Sequence, residues 1–155
     1  MARSGFGYSR PFMPIGLKRV YEKPSPADGA RVLVDRLWPR GVSKRAAALD
    51  AWLKELAPSH ALRRWFHARP RHWGMFRKRY LEELCQPAAE RALEELYELA
   101  AHRRQLTLIF AARDPERNNA AVLKQLLDGM RKPPSSSGAA AAASQRARAR
   151  ASRRS

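Results

Sequence analysis

The stretch Arg31-Val-Leu-Val-Asp-Arg-Leu-Trp-Pro-Arg-Gly41 constrains the fold more than any other part of this chain. Val32, Leu33 and Val34 are a near-continuous run of β-favouring residues, the pattern of a strand buried on both faces of a mostly parallel sheet. The run ends abruptly in Asp35, Arg36, Trp38, Pro39, Arg40 and Gly41, which bring a carboxylate, two guanidinium groups, an indole and two backbone breakers to one turn. In open α/β sheets ligands sit outside the carboxyl ends of the strands, so this turn is where a site is expected.

A second buried-type strand, Leu106-Thr-Leu-Ile-Phe-Ala-Ala112, ends in Arg113-Asp114-Pro115. Asp114 as N-cap with Pro115 at the first helical position predicts a helix carrying Ala120, Val122, Leu123, Leu126 and Leu127. Leu17 to Tyr21 alternates enough for a short first strand. Pro24, Pro26 and Asp28-Gly29 then mark a loop too short for a crossover helix, which leaves the direction of that strand open. Between the two buried strands, Ser43 caps a predicted helix running to about Leu56, with Ala46, Leu49, Trp52, Leu53 and Leu56 at helical spacing. Three more helices follow: one from Ser59 with Leu62, Trp65 and Phe66, one after Pro70 with Trp73, Phe76, Tyr80 and Leu84, and one after Pro87 with Ala89, Leu93, Leu96 and Ala100. The fold class is therefore α/β, a single domain with a small mostly parallel sheet of about three strands flanked by about five helices.

Charge and composition bound the partners. The chain has 155 residues and a formal net charge of +17. Residues 15–132 carry 24 basic and 14 acidic groups, so the predicted domain is basic by itself. Residues 1–14 and 133–155 lack apolar periodicity and read as an N-terminal extension and an Ala/Arg-rich basic tail, both disordered; Met13 is an alternative start. Such a field favours nucleic acid, nucleotides or other anions, although a coding bias toward Ala and Arg would raise the charge as well. With no apolar run near 18 residues, no leader and a lone Cys85, a cytoplasmic protein without a membrane span is expected.

The residues Tyr21, Pro24-Ser-Pro-Ala-Asp-Gly29, Leu33-Val-Asp-Arg-Leu-Trp-Pro-Arg-Gly41, Trp52, Ala57-Pro-Ser59, Leu62-Arg63, Trp65-Phe66, Trp73, Phe76, Tyr80 and Ala111-Ala-Arg-Asp114 with Asn118 resemble the YeaO-like family of bacterial proteins. The resemblance covers roughly residues 15 to 130. It implies a small α/β domain with a mostly parallel sheet and carries no established activity. Family members often place His two residues after Trp-Phe and His-Asn at the start of the last helix, where this chain has Ala68 and Arg117-Asn118. More distant relatives carry Cys and His after the last strand; this chain has neither, so thiol chemistry is not implied.

Parallel neighbours would set the two charged strand ends side by side as an Arg-lined cleft. Asp35 and Asp114 are the candidate general bases. Tyr21, Arg36, Trp38, Arg40, Arg113 and Asn118 are the candidate ligand-binding residues, because guanidinium forks match carboxylate and phosphate oxygens. The expected guest is an anionic small molecule or nucleotide. The competing reading makes Asp35 one member of a structural network with Arg36, Arg40 or Arg113, and Asp114 only a cap. The sequence contains no Gly-rich phosphate loop, nucleophile elbow or HExxH, and His60, His67, His72 and His102 lack metal-site spacing, so neither a metal nor a cofactor is expected. A different class of function is suggested by residues 56–81, which contain Arg63, Arg64, Arg77 and Arg79 among seven cations and no acid, interleaved with aromatics. That is the pattern of a nucleic-acid surface, assisted by the Arg-rich tail. The aromatics fall at core spacing, however, which also fits a packed core beneath a solvated basic face.

Overall fold

The computed structural model describes residues 15–103 and 105–130. The extension 1–14 and the tail 133–155 expected from composition lie outside the described residues. Four parallel strands, β1 (Gly16–Arg19), β2 (Ala30–Leu33), β3 (Ala51–Trp52) and β4 (Leu106–Phe110), form one sheet in the order β1-β4-β2-β3. The count is one strand more than the sequence pattern gives, and all are parallel. The last strand in the chain sits between the first two, with Leu17 and Val32 both opposite Leu108. β1 and β2 therefore never pair, and the short segment between them has only to return beside β4. Ten extended residues reach about 33 Å, more than the roughly 13 Å strand and 10 Å lateral step require, so no crossover helix is needed.

Strand periodicity divides the sheet into two unequal faces. Ala30, Val32, Val34, Leu106, Leu108 and Phe110 face a large core shared with α2 (His60–Ala68), α3 (Trp73–Glu83), α4 (Pro87–His102) and α5 (Asn119–Met130). Leu33 and Ile109 face the other way, under α1 (Lys44–Ala47) and the Trp38, Val42 and Trp52 side chains. Each fully buried aliphatic side chain contributes about 1.5–3 kcal/mol, and the first face holds most of them.

The amino-terminal half of the thinner face is polar. Asp28, at the end of a single 3-10 turn (Pro26–Asp28), accepts from Lys18 Nζ at 2.8 Å and Arg31 Nη1 at 2.6 Å, and its carbonyl accepts from Thr107 Oγ1 at 2.8 Å. Arg31 is 4% exposed. Burial pushes the Asp28 carboxyl up, but Lys18, the Ser25 N–H and Arg31 outweigh it and hold its pKa below the ordinary 3.8. Gly29 follows with φ +64° and ψ −135°, and a Cβ there would lie 2.1 Å from the Gln105 carbonyl oxygen, so only glycine lets the chain enter β2.

Two sequence expectations are corrected. The predicted helix from Ser43 to Leu56 is one turn, α1, stopped by Ala48 in the left-handed region at φ 48°, followed by β3 and a 3-10 turn at Lys54–Leu56. The buried Arg31 guanidinium takes the Ala47 carbonyl at 2.8 Å and its Nε the Ala48 carbonyl at 3.1 Å, the groups a continuing helix would use. Asp50 then pairs with the backbone of Arg31, through its own N–H at 2.8 Å and its side chain at 2.8 Å. The helical spacing of the apolar residues is coincidental: Leu49 and Trp52 serve one face of the sheet and Leu53 and Leu56 the other. The helix expected to start at Asp114-Pro115 instead starts at Asn119. Asp114 Oδ1 accepts from the Glu116 and Arg117 N–H groups in a turn, while Asn118 Oδ1 caps α5 by accepting from Ala121 at 2.8 Å.

Candidate functional site

The carboxyl ends of β2 and β4 are tied together by side chains where the backbone ladder stops. Val34 N–H still reaches the Ile109 carbonyl at 3.1 Å. One residue on, the chain turns away, and the Asp35 carboxylate replaces the missing backbone acceptor by receiving the Ala111 N–H on Oδ2 at 2.9 Å. Asn119, the first residue of α5, donates its side-chain amide to the Val34 carbonyl at 2.8 Å and to Asp35 Oδ1 at 3.2 Å. Trp52 Nε1 donates to the Asp35 carbonyl at 2.7 Å. Burial pushes the Asp35 carboxyl above its ordinary range, against the opposing pull of the Ala111 N–H, the Asn119 amide and the Arg63 charge.

Beneath this end lies Tyr80, fully buried, with its hydroxyl donating to the Leu56 carbonyl. Burial, then the negative charges of Asp35 and Glu83, push its phenol well above the ordinary range, partly opposed by Arg36 and Asn119, so it stays protonated. The next carbonyls along the chain, Ala57 and Pro58, are taken by Arg36 at 3.1 and 3.3 Å. Ser59 then caps α2: its Oγ accepts from Leu62 at 3.1 Å and donates to Glu83 Oε2 at 2.6 Å, and its N–H donates to Glu83 Oε1 at 2.8 Å. Ser59→Ala is expected to cost about 2 kcal/mol by losing the cap and stranding part of the Glu83 carboxylate, as measured by urea denaturation. A cost near zero would mean that the Glu83 bond contributes nothing in solution.

A family model described as the inactive DUF488-N3 subclade matches residues 14–145. The chain belongs to this subclade. It is 45% identical over 115 residues to uncharacterized proteins of Mycobacterium tuberculosis (strain ATCC 25618 / H37Rv) and Mycobacterium bovis (strain ATCC BAA-935 / AF2122/97), covering 74% of this chain and 94% of each relative. It is 43% identical over 116 residues to the uncharacterized protein YeaO of Escherichia coli (strain K12), covering 74% and 97%, which bears out the YeaO-like resemblance. No solved structure matches the chain.

Within this DUF488-N3 member the residues singled out in the sequence separate into several groups. Asp35 is at the strand ends, but its direct partners are an N–H and an amide rather than arginines, and Arg36 turns away to two carbonyls. Tyr21, half exposed, donates to the Arg40 carbonyl at 3.0 Å with the Arg19 guanidinium over its ring at 5.0 Å, which ties the end of β1 to the turn after β2. Trp38 Nε1 donates to the Val42 carbonyl at 2.6 Å, and its ring meets Trp52 edge-on. Asn118 is committed to capping. Asp114 is exposed, and the Glu116 and Arg117 N–H groups hold its carboxyl below the ordinary range. The side chains of Arg40, Arg63 and Arg113 are exposed and have no ion pair among the described residues.

The four arginines singled out within residues 63–79 also diverge. Arg63 acts on Asp35, Arg64 is exposed, Arg77 Nε donates to Gln125 on α5 at 3.2 Å, and Arg79 lies 4.4 Å over the Trp65 ring. Sequence reasoning missed Asn119, Glu83 and the polar role of Tyr80. The pair Asn118-Asn119 directly after a strand end was the one available signal, since one amide caps the helix and leaves the other to explain. Among the described residues no group of three His, Cys, Asp or Glu side chains could hold a metal ion, and no helix is long and apolar enough to cross a membrane.

Proposed function

We propose that this protein is a non-catalytic binder of an anionic small molecule or nucleotide, held over the carboxyl ends of the strands by Arg40, Arg63 and Arg113. The observation that carries the reading is the contrast between acids and bases there. Asp35 and Asp114 are both engaged by N–H donors, whereas the three guanidinium groups are exposed and free of ion pairs among the described residues. Exposed forks of this kind match the oxygens of phosphate and carboxylate. The description of the subclade as inactive supports binding over chemistry. On this reading the working unit is residues 15–132, acting in the cytoplasm.

Melting the protein with inorganic phosphate and with nucleoside mono-, di- and triphosphates tests this. A guest at 100 times its dissociation constant is expected to add about 2.7 kcal/mol. Arg40→Ala and Arg113→Ala should keep the parent's stability without ligand and lose the ligand shift. If both variants unfold, and no anion raises the melting temperature of the parent, the arginines are architectural.

A further inference from the structure

We infer that the face formed by α2 and α3 is a docking surface for single-stranded nucleic acid, with Trp65 as its stacking residue. The aromatics of this region fall into two sets. Phe66, Trp73, Phe76 and Tyr80 form a ladder of ring contacts, centroids 4.5 to 5.8 Å apart, that runs into the core. Trp65 packs against the edge of that core, its ring centroid 5.9 Å from that of His72, and keeps part of its indole at the surface. Its indole is half-buried, borders a groove with Ser59, Arg79, Glu82 and Gln86, and carries two guanidinium groups, Arg79 at 4.4 Å and Arg69 at 5.4 Å from the ring centroid. Core packing therefore takes four aromatics into the ladder and leaves the fifth half-buried at its edge among cations.

Cations outnumber acids around that indole, with Glu82 and Glu83 along one side of the groove. Residues 56–81 contain no Asp or Glu, and Arg64, Arg69, Arg71, Lys78 and Arg79 are all exposed with no ion pair among the described residues. Arginines already stacked on an aromatic plane have lost rotamer freedom before a ligand arrives, and apart from Arg69 Nη1, which donates to the Trp65 carbonyl at 3.4 Å, their N–H edges remain available to phosphate oxygens. A nucleobase has a π-face to add to such a stack, whatever its identity, and its backbone supplies phosphates at the spacing of neighbouring cations. A paired duplex keeps its bases stacked on one another and would use the cations alone. On one side the surface is bounded by Glu82 and Glu83, with Glu83 held against Ser59, so a polyanion is steered across α2 and α3 and away from α4.

The test is fluorescence anisotropy of labelled single-stranded and duplex oligonucleotides of about 12 nucleotides at about 50 mM salt and above, using the full chain. Because the tail carries its own cations, the reference protein has Arg146, Arg148, Arg150, Arg153 and Arg154 changed to Gln. Against that reference, Arg64→Gln with Arg69→Gln and Arg79→Gln should weaken single-strand binding at least tenfold. The slope of log affinity against log salt should flatten by about 0.7 for each phosphate that is no longer neutralised. Trp65→Leu, checked by circular dichroism for an intact fold, should weaken it roughly tenfold with the slope unchanged, the signature of a missing stack. The inference fails if the reference protein does not bind, if the triple variant binds as the reference does, or if duplex is bound as tightly as single strand. Should Trp65→Leu perturb the fold, Trp65→Phe is to bind nearly as the reference does, and a loss equal to that of the triple variant would overturn the stacking role.

Discussion

Asp28→Ala is expected to destabilise the protein by about 3–5 kcal/mol, the usual cost of stranding one partner of a buried pair. Arg31 is 4% exposed, and its guanidinium would keep the Ala47 carbonyl but lose the carboxylate at 2.6 Å that neutralises it. Lys18 and the Ser25 N–H lose their acceptor at the same moment, and the cap of the turn leading into β2 goes with them. The pH dependence has a definite sign. Since the folded-state pKa of Asp28 lies below the ordinary 3.8, its contribution is fully present above that value and is lost as the pH falls through the lowered one. Denaturation of the parent and of Asp28→Ala should therefore converge in acid. A variant within about 1 kcal/mol of the parent at neutral pH would mean that solvent reaches Arg31 and that the pair is not buried in solution.

Asp35→Ala is expected to cost about 2–4 kcal/mol, because the half-buried Ala111 N–H loses its acceptor and the buried Asn119 amide is left with the Val34 carbonyl alone. Asp35→Asn keeps an oxygen for one donor and sets an amide against the Asn119 amide, so it should cost less. It also isolates the titration. The folded-state pKa of Asp35 is raised, so the folded protein holds this proton more tightly than the unfolded chain. Its contribution is therefore fully present below the ordinary 3.8 and is lost as the pH rises through the raised value, opposite in sign to that of Asp28. Asp35→Asn should remove that declining component from the profile of stability against pH. If the difference between parent and Asp35→Asn is flat across the acid range, Asp35 is ionised alike in both states, and its role is limited to its two hydrogen bonds.

Asp28 and Asp35 differ in how far the sequence shows them. Asp35 stands out in the sequence because a buried-type strand runs into it, and the structure places it at the strand end. Asp28 reads only as half of an Asp-Gly turn, and its partners Lys18 and Arg31 reach it because β1 and β2 flank the same strand. Arg31 is the sharper case. An arginine opening an apolar run carries no sign of burial in the sequence, yet it is 4% exposed and takes the carbonyls at the end of α1. The arginines of the supposed cleft show the same limit. Arg36 finds the carbonyls of Ala57 and Pro58, whereas Arg40 and Arg113 find no acid among the described residues. Nothing in the local sequence distinguishes them.

By itself the sequence determined the α/β class, the two central strands, the helices of residues 60–130 and the placement of Asp35 at a strand end. These depend on apolar periodicity and on Pro, Gly and Ser at element boundaries, which act over a few residues. Only the tertiary structure decided that Ala51–Trp52 is a strand rather than helix, that Asn118 and not Asp114 caps α5, and that β1 runs parallel to a strand some 90 residues later. The two strand pairings are set by backbone donors and acceptors brought together from distant segments, and the start of α5 goes with the Asn119 amide, which reaches the Val34 carbonyl. A guanidinium or amide goes to whichever unpaired carbonyl the fold sets beside it, and spacing along the chain carries no record of that.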